Sequence, residues 1–192
     1  MRQTIKDLIR EDENIFNVPN LLSFARLVFL PFIAYFLSRD TQSGDLYALL
    51  FMILSGLTDF FDGRIARHFH QKSNLGRLMD PVIDKVSVAA VMIVLAAHKD
   101  LPYWYVAIVI GRDLLLLFAG LFVISKQKLV VESKWLGKWT ALTLAFVVLT
   151  FTLEVPVVRW VLFYITLVLI PATLIDYYWT HRTKIHKKFQ SN

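Results

Sequence analysis

The chain has 192 residues, enough for one ordinary domain, but 56% of them are hydrophobic and only 19% charged, a balance that falls outside soluble globular domains and suits lipid as the solvent. Cysteine is absent, which excludes disulfide frameworks, thiolate metal sites and cysteine nucleophiles and leaves any chemistry to oxygen and nitrogen groups. The net charge of +6 does not point to nucleic acid, because the cations are dealt out between apolar segments instead of gathered on one face.

In chain order, the first residues mix Arg2, Lys6 and Arg10 with Asp7, Glu11, Asp12 and Glu13. They resemble neither a secretory signal nor an acid-poor transit peptide, and residues 1–18 are expected to form an amphipathic helix along the membrane surface. Hydropathy then divides the chain into six stretches near 21–38, 45–67, 79–97, 102–124, 136–154 and 156–178, each of about the 20 residues that a bilayer-crossing helix needs. Ser38 to Gly44, Asp100 to Pro102 and Glu154 to Pro156 read as short turns. The expected architecture is an all-α integral membrane protein with six transmembrane helices over 19–180 and a basic tail over 181–192.

The distribution of Lys and Arg orients these spans. Arg2, Lys6 and Arg10 precede the first span; Arg64, Arg67, Lys72 and Arg77 lie in the second connection; Lys126, Lys128, Lys134 and Lys138 in the fourth; Arg182, Lys184, Lys187 and Lys188 in the tail. The other three connections hold only Arg39, Lys99 and Arg159. Six spans with both termini in the cytoplasm fit this alternation. Arg26, Lys85 and Arg112 remain inside spans, where a cation is costly unless it faces a polar cavity and a partner. Snorkelling from a helix end is the alternative for any one of them, but with carboxylates nearby the three together read as part of a site.

Those carboxylates are Asp59, Asp62, Asp80 and Asp84, at the cytoplasmic ends of two successive spans. Asp59 and Asp62 are three positions apart and Asp80 and Asp84 four, so each pair shares a helical face. Converging acids repel one another and ionise poorly near lipid unless a cation neutralises them. An oxygen-only donor set favours Mg²⁺, Mn²⁺ or Ca²⁺ over Zn²⁺, and hard cations beside a membrane point to a phosphate or diphosphate substrate. Two such ions can clamp an in-line phosphoryl displacement while an unbound carboxylate takes the proton of the attacking hydroxyl. Gly63 and Gly76 would let phosphates approach the backbone, and Ala66 keeps the same face shallow; helix packing is the competing use of such small residues.

The pattern Asp59-x-x-Asp62-Gly63-x-x-Ala66-Arg67, eight residues, Gly76-x-x-x-Asp80-x-x-x-Asp84 resembles the complete signature of the CDP-alcohol phosphotransferase family, with eight fixed residues over 26 positions. Six spans, a surface helix before them and a cytoplasmic signature between spans two and three also match that family's layout. The resemblance implies that Asp59, Asp62 and Asp80 bind a pair of Mg²⁺ or Mn²⁺ ions with Asp84 at the same site, and that Asp84 is the general base. It implies further that Asp59, Gly63, Ala66, Arg67 and Gly76 line the pocket for the CDP-linked lipid, CDP-diacylglycerol, and that the enzyme is a homodimer of a bacterial inner membrane.

The acceptor alcohol is read from weaker features. Asn17-Val18-Pro19-Asn20 followed by Arg26, and Ser133-Lys134-x-x-Gly137-Lys138-x-Thr140, resemble segments of family members that use glycerol 3-phosphate, the first choice here. Its phosphate would need cations, and Arg112, Lys134 and Lys138 are the candidates, with positive-inside anchoring as the plain alternative for the lysines. Asp113 and Trp139 stand where those members usually have Glu and Lys, and an Arg112-Asp113 pair resembles members whose acceptor is phosphatidylglycerol. Inositol phosphate would call for a similar basic pocket.

A small transporter is the rival from another class, but it would tend to show midplane charges or matched broken helices in two halves. His68 and His70 beside the signature read as solvated or headgroup-facing. Trp104, Trp135, Trp139 and Trp179 near span ends read as an interfacial belt.

Overall fold

The computed structural model describes the backbone of residues 18–68, 74–127 and 135–190 and the side chains of residues 24–58, 81–119 and 135–179. Every regular element among the described residues is an α-helix: α1 Val18–Leu37, α2 Gln42–His68, α3 Asn74–His98, α4 Tyr103–Gln127, α5 Trp135–Thr152 and α6 Val158–Gln190. The six apolar stretches read from the sequence fall on these helices one for one. Among the described residues, Pro81–His98, Trp135–Thr152 and Val158–Trp179 are long and apolar enough to cross a membrane, and Phe24–Leu37 is a shorter apolar helix. The surface helix expected over 1–18 lies outside the described residues, apart from Val18 at the start of α1.

Two boundaries differ from expectation. α3 begins at Asn74, so the segment from Gly76 to Asp80 is helical before the apolar run starts. α6 continues to Gln190, past the apolar stretch that ends near 178. Beyond its apolar stretch α6 carries Arg182, Lys184, Lys187 and Lys188, good helix formers that hydropathy alone scores as an end.

The turns are the ones that Asp, Glu and Pro predict. Asp40 and Asp100 adopt left-handed φ of 48° and 58°, a conformation that the short Asp side chain tolerates, and Glu154 and the β-branched Val157 adopt it at 51° and 61° in the turn before α6. Gly44, in the first turn of α2, lies so close to the end of α1 that a Cβ there would stand 2.6 Å from the Phe36 carbonyl oxygen.

The chain divides into two compact units, residues 1–101 and 102–192. In the first, α1 packs against both α2 and α3. Its buried face carries Arg26, Ile33 and Leu37, while Phe24, Val28, Phe32 and Tyr35 are exposed, the spacing of two opposite faces of one helix. Phe32 and Phe36 stack on Phe51 of α2 at ring separations of 5.2 and 5.7 Å. At the far end of α3, the buried Lys99 reaches back to Asp40 and Asp45, 2.8 and 2.9 Å away, tying the α1–α2 turn to the α3 terminus.

In the second unit α6 packs against α5 and α4. Phe163 of α6 meets Tyr105 and Trp104 of α4 at ring separations of 4.5 and 5.7 Å, and Trp160 meets Phe151 of α5 at 5.5 Å. Buried threonines complete the packing without stranding a donor. Thr140, Thr152 and Thr166 donate to the carbonyls of Leu136, Val148 and Leu162 at 2.8, 2.9 and 2.7 Å, so the polar groups are satisfied within their own helices, as an apolar solvent demands. Large side chains such as Phe118, Val161, Tyr164, Val168 and Tyr178 are exposed, which suits helices that face lipid.

Candidate active site

The signature acids occupy the last turns of one helix and the first turns of the next. Asp59, Asp62, Gly63, Ala66 and Arg67 are carried by α2, which runs to His68, and Gly76, Asp80 and Asp84 by α3, which starts at Asn74. The side chains from Asp59 to Asp80 lie outside the described residues. Pro81 sits inside α3 directly after Asp80. It lacks the N–H that would otherwise bond the Arg77 carbonyl, so the ladder is interrupted within the signature itself.

Asp84 is the signature acid whose side chain is described, and its surroundings are specific. The guanidinium of Arg26, on α1, donates from Nη1 to Asp84 Oδ1 across 58 residues of sequence. The Arg26 side chain is 4% exposed, whereas that of Asp84 is 50% exposed. One carboxylate oxygen is therefore engaged by a buried cation while the group as a whole keeps an open side. Arg26 was legible as a cation inside an apolar run; its partner was not, because nothing in the sequence links positions so far apart.

In the second unit, Arg112 Nη1 lies 2.6 Å from Asp113 Oδ1, and Nη2 lies 3.5 Å from the Thr173 hydroxyl, at the outer limit of a hydrogen bond. Arg112 and Asp113 are both mostly buried, their side chains 10% and 15% exposed. Thr173 was not foreseen; it follows Pro171 inside α6 and its hydroxyl donates to the Ile170 carbonyl at 2.7 Å. Lys138 is exposed on the first turn of α5, its ammonium 5.8 Å from the Trp135 ring centre, an interfacial cation–π contact. Lys134 lies outside the described residues.

Apolar helices of membrane-crossing length, with an acid-rich segment carried over two successive helix ends, define the class: a helical membrane protein. Within that class the sequence profile of the CDP-alcohol phosphatidyltransferases matches residues 16–172, and the chain belongs to that family. It is similar to a cardiolipin synthase (CMP-forming) of Streptomyces coelicolor, 33% identical over 119 residues, which cover 60% of this chain and 55% of that protein. A cardiolipin synthase and mitochondrial hydrolase fusion protein of Schizosaccharomyces pombe is 41% identical over 107 residues, 56% of this chain and 18% of that one. A CDP-diacylglycerol–glycerol-3-phosphate 3-phosphatidyltransferase of Aquifex aeolicus is 35% identical over 128 residues, 66% of this chain and 70% of that one. The chain thus spans about half the length of the Streptomyces relative and a smaller part of the fusion protein.

Proposed function

We propose that the protein transfers a phosphatidyl group from CDP-diacylglycerol to glycerol 3-phosphate, forming phosphatidylglycerophosphate and CMP. The observation that carries this reading is the family signature itself: all eight of its residues are present, on the end of α2 and the start of α3, and Asp84 combines an open side with an oxygen held by Arg26. The Aquifex relative, whose name states this reaction, supports the acceptor.

The donor set fits a hard divalent cation, since the signature offers carboxylate oxygens and the chain has no thiol. Asp59, Asp62 and Asp80 would hold two Mg²⁺ or Mn²⁺ ions, with Asp84 beside them. Bound there, the ions would neutralise diphosphate charge as CMP departs. Asp59, Gly63, Ala66, Arg67 and Gly76 receive the nucleotide end of the donor, whose tails stay in the bilayer. Asp84 accepts the proton of the acceptor hydroxyl as its oxygen attacks the phosphorus bonded to the lipid; that P–O bond forms as the bond to CMP breaks. Arg112, Lys134 and Lys138 are assigned to the acceptor phosphate. The positive-inside count supports six spans with both termini and the active site on the cytoplasmic face of a bacterial inner membrane, and the family implies a homodimer.

A second reading within the family takes phosphatidylglycerol as the acceptor and cardiolipin as the product. The buried Arg112–Asp113 ion pair and the names of the Streptomyces and Schizosaccharomyces relatives favour it. Purified protein in detergent with CDP-diacylglycerol and Mg²⁺ or Mn²⁺, offered glycerol 3-phosphate, phosphatidylglycerol, inositol phosphate, inositol or serine, separates the two. CMP release driven by glycerol 3-phosphate alone supports the first reading, and release driven by phosphatidylglycerol alone replaces it with the second. A folded protein inactive with every acceptor would remove the enzymatic reading.

A further inference from the structure

α1 carries none of the signature residues, yet both signature helices pack against it, and its buried face presents Arg26. A snorkelling arginine would expose its charged end, but this side chain is 4% exposed. Burying a cation in an apolar helix is costly, and a carboxylate partner offsets that cost. Arg26 engages Asp84, the carboxylate assigned as the base. Asp84 is 50% exposed and, without a partner, a side chain that open would sample several rotamers.

We propose that Arg26 is the positioning residue for Asp84: its guanidinium fixes one carboxylate oxygen, and with it the rotamer that presents the other oxygen to the acceptor hydroxyl. The inference rests on the phosphatidyl-transfer reading and assigns a role that the signature does not contain. A planar fork with several donors defines a carboxylate's orientation, which a point charge does not. Arginine at this position therefore supplies geometry in addition to charge. Two other uses of Arg26 make different demands. A residue that only neutralised the acids would be replaced by Lys without loss, and one that gripped the donor diphosphate would act on donor affinity.

The test compares wild type, Arg26→Gln, Arg26→Lys, Asp84→Asn and the Arg26→Gln/Asp84→Asn double variant. For each, kcat and KM are measured by CMP release, CDP-diacylglycerol binding is measured separately at equilibrium, and thermal stability is recorded in detergent. Misplacing a catalytic group by about 1 Å costs about 10²-fold in rate, so kcat should fall about 100-fold in Arg26→Gln while donor affinity stays within about threefold. Arg26→Lys should recover part of the loss, about tenfold, and remains informative if Arg26→Gln folds poorly. Because Arg26 acts through Asp84, the double variant should be no slower than Asp84→Asn alone.

Unchanged kcat in Arg26→Gln, full activity in Arg26→Lys, donor affinity lost in parallel with kcat, or additive losses in the double variant would each overturn the proposal. A wild-type protein that releases no CMP would overturn the functional reading on which it rests. An active wild type with an indifferent Arg26 overturns the positioning role alone.

Discussion

Replacing Lys99 with methionine should lower the stability of the first unit by an amount set by its ion pair with Asp45. The Lys99 side chain is 2% exposed, and its ammonium lies 2.8 Å from Asp40 and 2.9 Å from Asp45. Asp40 is 62% exposed and screened by solvent, whereas Asp45 is 12% exposed, so the effect is assigned to Asp45. Removing one partner of a buried pair strands the other charge and costs about 3–5 kcal/mol. For a chain of this length each kcal/mol moves Tm by about 2–4 °C, which gives a fall of roughly 6–20 °C. The tryptophans, five in the sequence, allow unfolding to be followed by intrinsic fluorescence in detergent. Lys99→Met combined with Asp45→Leu should recover most of the loss, because an apolar pair of similar volume replaces a buried ion pair at little cost. A single variant within about 2 °C of wild type, or a double variant as unstable as the single, would refute the reasoning.

Three further outcomes are expected. The hydrogen bond and charge of Lys99, with a smaller contribution from His98, hold the Asp40 carboxyl below its ordinary 3.8. The unfolded chain therefore binds more protons than the folded one in that window, so this stabilisation is present above the ordinary value and lost as pH falls below it. Asp40→Asn should flatten the fall in Tm below about pH 4, as measured by melting across an acid series. Gly44→Ala forces a Cβ to within 2.6 Å of the Phe36 carbonyl oxygen and should cost about 1–3 kcal/mol; Gly56→Ala, with nothing within 4 Å, should be neutral or stabilising in the same melting assay. Asp84→Asn should lower kcat by about 10²–10⁴-fold with nucleotide binding largely retained, whereas Asp62→Asn should weaken Mn²⁺ and CDP-diacylglycerol binding together, as read by equilibrium titration. Equal binding losses in both would contradict the division between base and ligand.

Much of this was legible in the sequence because the signals were local. Six apolar runs fell on six helices, three of which are long and apolar enough among the described residues to cross a membrane, and the turns read at Ser38 to Gly44, Asp100 to Pro102 and Glu154 to Pro156 separate helices. The signature could be placed on two helix ends because its spacing lies within one stretch of chain. Long-range pairings were not legible. Arg26 meets Asp84 and Lys99 meets Asp45 across 58 and 54 residues, and hydropathy carries no information on which carboxylate a buried cation will meet. The start of α3 and the end of α6 lie beyond the apolar stretches, because an apolar window does not register polar residues that continue a helix.

The most direct test of the central claim is product analysis after incubating purified protein with CDP-diacylglycerol, glycerol 3-phosphate and Mg²⁺ or Mn²⁺, with Asp84→Asn and chelator as controls. CMP and phosphatidylglycerophosphate should form in equal amounts, dependent on the metal and slowed at least about 100-fold in Asp84→Asn. Metal-independent CMP release, or an Asp84→Asn variant as active as wild type, would contradict it.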